Sequence, residues 1–169
     1  MKHASVQSGF SIMETMIASF VLVVGLVGAI AVFGPAIRFT GLARDQVIAA
    51  ALAQEGIEIT KNIRDNNMLS GSFADGLSSG TYCVDYNDVT LGGCSSNGQL
   101  YISGNWYVRS ATSQKTLFKR KIVIDSSQPD TLKIKSYVVW RDGVFPSSPA
   151  NCTLRQKCAF AQTVLTNWK

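Results

Sequence analysis

An uncharged run of 22 residues, at positions 16–37, constrains this chain more than any other feature of its sequence. As a helix, a run of that length spans the hydrocarbon core of a bilayer. Its large apolar side chains surround the helix on every side, which is typical of a segment covered by lipid or by other helices. A cleavable secretory signal has a shorter apolar core of about 7–15 residues. The run therefore predicts a permanent apolar helix near the N-terminus.

Two features distinguish this predicted helix from a simple membrane anchor. Glu14 is the only charged side chain in residues 10–37, and an ionisable group at an apolar edge is costly unless it has a partner. Glu14 is therefore a candidate functional residue. Farther along, Gly34 precedes Pro35, which lacks an amide donor and crowds the carbonyl group of Ala31. We expect the helix to kink or to open at Gly34 and Pro35.

The helical pattern continues after the apolar run, but with a polar side. One apolar stripe is formed by residues spaced at helical intervals, namely Ile48, Leu52, Ile59 and Ile63. Most charged side chains of this stretch are expected to lie away from the stripe, namely Arg44, Asp45, Lys61, Arg64 and Asp65. The sequence predicts an amphipathic half-helix over residues 41–66, which follows the apolar half at residues 10–40.

The composition changes after residue 66 to turn-forming residues and then to β-branched and aromatic runs. The predicted strands are Thr81–Tyr86, Gln99–Ser110, Leu117–Asp125, Leu132–Arg141 and Cys158–Thr166. In the fourth run the even-numbered residues from Leu132 to Trp140 are expected to face a core. The odd-numbered residues, from Lys133 to Arg141, are expected to be largely exposed to solvent. The sequence thus predicts an α+β fold, with a long N-terminal helical spine packed against an antiparallel β-sheet head at residues 67–169.

The four cysteines all lie in the predicted head, which would be exported if the apolar helix crosses a membrane. An even number of cysteines in such a compartment predicts two disulfides. Three pairings are open, and we favour Cys83 with Cys94 and Cys152 with Cys158, because each pair closes a short polar loop. The spacings do not fit a zinc site.

The charge of the predicted head and the scarcity of catalytic side chains limit the function classes. The head carries eleven basic and six acidic residues, so it could attract nucleic acid or an anionic glycan. Lys119, Arg120 and Lys121 are consecutive, however, and on a strand their side chains alternate between faces. Polyanion binding is therefore only weakly supported. The sole histidine, His3, lies in the first nine residues, and neither a catalytic constellation nor a cofactor or metal motif is present in the sequence. We expect no enzyme activity.

Two smaller sets of head residues could bind ligands, but each has an ordinary structural explanation. Asp85, Asn87 and Asp88 offer oxygens to calcium, although such a cluster is common in turns. Aromatic residues on strands usually pack in a core rather than stack on sugars or bases. The aromatic residues in question are Trp106, Tyr107 and Trp140.

The segment Ser8-Gly9-Phe10-Ser11-Ile12-Met13-Glu14 resembles the prepilin processing site of type IV pilins and type II secretion pseudopilins. The resemblance covers about residues 1–65. It implies that residues 1–9 are a leader removed after Gly9 by a prepilin peptidase, and that Phe10 is then N-methylated by the same class of enzyme. It also implies that Glu14 governs assembly, and that the fold is the ladle-shaped pilin fold.

The function implied by this resemblance is structural. The subunit would sit in the inner membrane as a single-pass prepilin with its head outside, and then polymerise through its N-terminal helix into an extracellular filament. Its partners would be other copies or related pilins, the processing enzyme, the assembly machinery and, before assembly, the lipid bilayer. Major pilin, minor or tip pilin and pseudopilin remain open. The alternative is a single-span anchored binding domain that does not polymerise.

Overall fold

The computed structural model describes residues 9, 11–94, 97–111 and 114–167. A long helix, α1, covers Ile12–Leu69, and six strands follow it: β1 (Gly80–Tyr82), β2 (Gln99–Ser103), β3 (Trp106–Val108), β4 (Gln114–Gln128), β5 (Thr131–Trp140) and β6 (Cys158–Thr166). Short 3-10 turns lie at Pro149–Asn151 and Leu154–Gln156 between β5 and β6. The chain is an α+β protein, with one N-terminal helix packed on a C-terminal antiparallel sheet, as the sequence predicts.

The chain divides into two compact units, Met1–Ala43 and Arg44–Lys169. The division lies inside α1, three residues beyond the predicted boundary between the apolar and amphipathic halves. The helix also ends at Leu69 rather than at residue 66. We call the described part of Arg44–Lys169 the head, which is larger than the predicted head because it includes the second part of α1.

The sheet of the head has the order β3-β2-β4-β5-β6, and every pairing is antiparallel. The long strand β4 is at its centre, because β5 lines one edge while β2 and β1 share the other. The predicted strand at residues 99–110 is instead the hairpin β2–β3, which turns at Gly104 with φ of 60°. A second hairpin joins β4 to β5 through Pro129 and Asp130, and Asp130 has φ of 55°.

The core lies between the sheet and the second half of α1. One cluster of buried residues joins Ile57, Ile59 and Ile63 of the helix to strands β4, β5 and β6, and another joins Ala49, Leu52 and Ala53 to Trp140 and its neighbours. At about 25 cal/mol per Å² of apolar surface, such burial is the main force that holds the helix to the sheet.

Expectations about four individual positions are wrong, and each has a physical reason. Asp45 and Arg64 are buried rather than solvated, because Asp45 pairs with Arg141 at 3.0 Å and Arg64 donates to the carbonyl of Thr166 at 3.2 Å. Tyr137 and Val139, expected on a wet face, are buried as well. The chain between β5 and β6 folds over that end of the sheet, where Phe145 and Cys152 pack against them.

The helix does not open at Gly34 and Pro35, since α1 continues as an α-helix through both residues. Proline removes one donor from the helical ladder, while the turns on either side keep their own hydrogen bonds. Just beyond it, the Thr40 hydroxyl donates to the carbonyl of Ala36 at 3.0 Å.

Candidate assembly helix and the surfaces of the head

The N-terminus of α1 places Glu14 in the first helical turn. Ser11 precedes the helix, and its hydroxyl oxygen accepts a hydrogen bond from the amide of Met13 at 3.4 Å. The amide of Glu14 donates to the carbonyl of Ser11 at 3.0 Å. A carboxylate in the first turn is stabilised by the helix dipole. Within a single subunit, Glu14 therefore lies where the helix dipole favours a negative charge.

The processing residues are only partly described. Gly9 is exposed, and a Cβ at this position would meet no atom within 4 Å. Phe10 lies outside the described residues, so the structure does not test its expected position relative to Glu14.

The first part of α1 exposes its apolar side chains on all sides. Every described residue from 11 to 43 is exposed, and Ile12, Phe20 and Ile37 each expose 70 % or more of their surface. Among the described residues, α1 is the one helix with both the length and the hydropathy to cross a bilayer. Hydroxyl groups of this part, such as those of Thr15 and Ser19, donate to carbonyls one turn back. An apolar surface of this extent requires a covering of lipid or protein.

Two disulfides constrain the head, in the pairing favoured by loop length. Cys83 is joined to Cys94, and Cys152 to Cys158. The first closes the loop after β1, and the second closes the loop that covers Tyr137 and Val139. Both loops are thereby held against the sheet.

A buried arginine connects the helix to the sheet. Arg120 on β4 is 1 % exposed, and it donates to the carbonyls of Leu52 at 3.1 Å and Val84 at 3.0 Å. It also pairs with Glu55 at 3.0 Å. Burial lowers the pKa of the Arg120 guanidinium, and the Glu55 carboxylate opposes that shift. Sequence reasoning did not find this residue, because alternation along β4 alone does not tell which face covers the helix.

The loop between β1 and β2 carries the acidic residues that were considered for calcium. The Asp88 carboxylate accepts hydrogen bonds from the amide of Asp85 at 2.7 Å and from Arg109 at 3.2 Å. Asp85 in turn accepts from the amide of Arg109 at 3.2 Å. These contacts explain the acidic pair as a brace for the loop. Within the described residues, no group of three or more histidine, cysteine or acidic side chains is placed to hold a metal ion.

The three aromatic candidates separate into two environments. Trp140 is buried, and Tyr107 makes an edge contact with Phe118, with ring centroids 6.2 Å apart. Trp106 is instead 58 % exposed and stacks on Tyr86 at 4.9 Å. Of the three, Trp106 is therefore the one available to an outside partner.

Comparisons with known proteins gave no match to any protein-family model, curated protein or solved structure.

Proposed function

We propose that this chain is a structural, non-enzymatic subunit of a type IV pilus-like filament. It is inserted in the membrane as a prepilin, cleaved after Gly9, methylated at Phe10 and polymerised through α1. One observation supports the proposal most strongly. The first part of α1 exposes apolar side chains on every side, and it carries one acidic residue, Glu14, in its first turn. Lipid covers this surface before assembly, and the helices of neighbouring subunits cover it afterwards.

Glu14 gives this helix a means of selecting its register. Cleavage after Gly9 creates an amine at Phe10, four residues along the chain from Glu14. In an apolar surrounding, each charge is costly unless it is paired. The amine of an incoming subunit can pair with the carboxylate of a neighbour, so the pair fixes the axial offset between the two helices.

The alternative is a single-span anchored domain that binds a ligand and does not polymerise. The exposed stacked pair of Trp106 and Tyr86 favours it, because exposed aromatic side chains are common at binding surfaces. The alternative requires neither a new N-terminus at Phe10 nor a special role for Glu14.

The test is the incorporation of epitope-tagged Glu14→Gln into sheared surface filaments, measured by quantitative immunoblotting against the membrane fraction. The mutant subunit should be inserted and cleaved normally, but incorporated about tenfold less or worse, because one partner of a sheltered ion pair is lost. Intact mass spectrometry reports cleavage and methylation in the same samples.

Two further variants calibrate this experiment. Glu58→Gln makes the same charge change on the same helix, at an exposed residue paired with Lys61, and should be incorporated like the wild type. Gly9→Val should retain the leader and accumulate in the membrane. Equal incorporation of Glu14→Gln and wild type would remove the register role, and an intact Met1 on mature protein would favour the anchored domain.

A further inference from the structure

Four lysines lie on the outer face of the head sheet, opposite the face that packs on α1. Residues that are paired across antiparallel strands point to the same face, and four successive pairs between β4 and β5 each contribute one lysine. In order along the strands, these pairs are Asp125–Lys133, Val123–Lys135, Lys121–Tyr137 and Lys119–Val139. We call Lys133, Lys135, Lys121 and Lys119 the lysine row.

The pairing makes the lysine row evenly spaced. Successive pairs on one face are two residues apart, which is about 7 Å, so the row extends for about 20 Å. Because side chains alternate along β4, Lys119 and Lys121 lie on the outer face while Arg120 between them points into the core. The second strand supplies the other two lysines, which is why sequence alternation on β4 alone underestimates the charge of this face.

The charge of the lysine row is largely uncompensated. Among the described residues, none of its four ammonium groups forms an ion pair. Lys121 lies over the ring of Phe145, at 4.6 Å from the ring centre. Asp125 is the one acid in the four pairs. Hydrogen bonds from Ser127 lower its pKa, and the charges of Lys133 and Lys135 lower it further, so Asp125 stays ionised and offsets part of the row.

An aromatic ring stands beside the row on the next strand. Phe160 of β6 is paired with Tyr137, and the two rings are 6.0 Å apart at a tilt of 31°. Phe160 remains 38 % exposed. On the same face β6 adds only the uncharged Gln162 and Val164 next to Lys135 and Lys133. The loop between β5 and β6 borders the Lys119 and Lys121 end of this face, where it covers Tyr137 and Val139. The face thus combines a line of positive charges with a partly exposed ring.

We propose that this face, formed by the lysine row and Phe160, binds single-stranded nucleic acid. The lysines contact successive phosphates, and Phe160 stacks on an unpaired base, which is the combination that general single-strand binders use. A duplex keeps its bases stacked on each other and offers only phosphates to this face. An anionic polysaccharide would use the lysines without needing the ring. The proposal does not depend on polymerisation of the chain.

The experiment uses the full-length protein in an uncharged detergent and a fluorescein-labelled oligothymidine of about 20 nucleotides. Binding is followed by fluorescence anisotropy over a series of salt concentrations that begins at about 50 mM. If the four lysines contact four phosphates, a plot of the logarithm of the association constant against the logarithm of the salt concentration should have a slope of about −2.8 for a single strand. Lys135→Gln should weaken binding and reduce the slope by about 0.7.

Matched variants distinguish an effect of the lysine row from an effect of the protein's net charge. Lys61→Gln removes one charge from a helix lysine that is paired with Glu58, and should leave the affinity and the slope unchanged. Asp125→Asn removes the acid within the row and should tighten binding. Phe160→Leu should weaken binding by about fivefold or more without changing the slope, because it removes stacking and leaves the charges.

The outcomes decide between the lysine row, a general polyanion surface and no site. If Lys61→Gln weakens binding as much as Lys135→Gln, net charge explains the effect and the site is wrong. If heparin or a duplex of equal length competes as well as the single strand, and Phe160→Leu has no effect while its melting temperature matches wild type, the assignment to single-stranded nucleic acid is wrong. Absence of binding at the lowest salt overturns the proposal.

Discussion

Gly56 determines how closely the second half of α1 approaches the sheet. A Cβ at this position would lie 2.5 Å from the hydroxyl oxygen of Ser136 and 2.7 Å from the terminal methyl of Ile122. Both neighbours are completely buried. The hydroxyl of Ser136 has no hydrogen-bond partner among the described residues. The small pair of Gly56 and Ser136 thus permits a contact that larger residues would prevent, and the orphaned hydroxyl is its cost.

We predict that Gly56→Ala lowers the free energy of unfolding and that Ser136→Ala restores part of it, since the contact with the Ile122 methyl remains. Overpacking costs about 1–3 kcal/mol, and the better helix propensity of alanine returns up to about 1 kcal/mol. Ser136→Ala alone should be neutral or stabilising, because it removes a buried hydroxyl without a partner. Urea unfolding of the four proteins, followed by tryptophan fluorescence, gives the coupling energy. Additive effects of the two substitutions would show that the residues do not compete for space.

At the scale of elements, α1 is one continuous helix whose two parts have different surfaces. Its first part presents exposed apolar residues all round, whereas its second part buries one stripe against the sheet. Pro35 lies in the first part and does not end the helix. In apolar surroundings an open backbone has no water to replace its lost hydrogen bonds, and this favours continuation of the helix.

The two disulfide loops should contribute similarly to stability but differ in what they cover. The closed segments have sequence separations of 11 and 6, so restriction of the unfolded chain predicts about 3 and about 2 kcal/mol respectively. The loop of Cys152 and Cys158 also packs on Tyr137 and Val139. The loop of Cys83 and Cys94 contains Leu91, which packs on the core cluster that includes Ile122. Removal of either disulfide should therefore expose an apolar surface.

The prediction is tested with two double variants, Cys83→Ala/Cys94→Ala and Cys152→Ala/Cys158→Ala. Each should lower the free energy of unfolding in urea by about 2–3 kcal/mol. Both should increase the fluorescence of an apolar dye at low urea, because each loop packs on apolar residues of the head. Non-reducing peptide mapping of the wild type checks the pairing. Equal unfolding curves for wild type with and without reductant would contradict the predicted contribution.

At the scale of the whole molecule, the buried core belongs to the head. The described residues that form the three buried clusters all lie beyond position 43. The described residues from 11 to 43 are all exposed. The described part of the first unit thus has no core of its own and depends on lipid or on other chains for covering.

We therefore predict that the fragment Arg44–Lys169 folds on its own and is soluble without detergent. It should be monomeric in sedimentation, and should unfold cooperatively with the near-ultraviolet circular dichroism of the full chain. Full-length protein without detergent is the matched control, and should aggregate through the exposed apolar helix. A fragment that lacks cooperative unfolding would show that residues before Arg44 contribute to the fold of the head.

The sequence by itself determined the features that depend on local pattern. The apolar run, the helical spacing of Leu52, Ile59 and Ile63, and the short loops between cysteine pairs all lead to the helix, the sheet and the favoured pairing. The segment around Gly9 and Glu14 carries the resemblance from which the proposed function follows. These features arise from residues near one another in the chain, and one sequence suffices to recognise them.

Only the tertiary structure decided which residues from distant segments meet. The burial of Asp45 depends on Arg141, the place of Gly56 depends on Ser136, and the lysine row requires the register of β4 against β5. Tyr137 looks like a wet position on its strand, yet a later loop covers it. Local sequence sets the period of side chains but not the partner strand, the register or the covering loop. These are set by packing over the whole head, where burial of apolar surface outweighs the preference of any single residue.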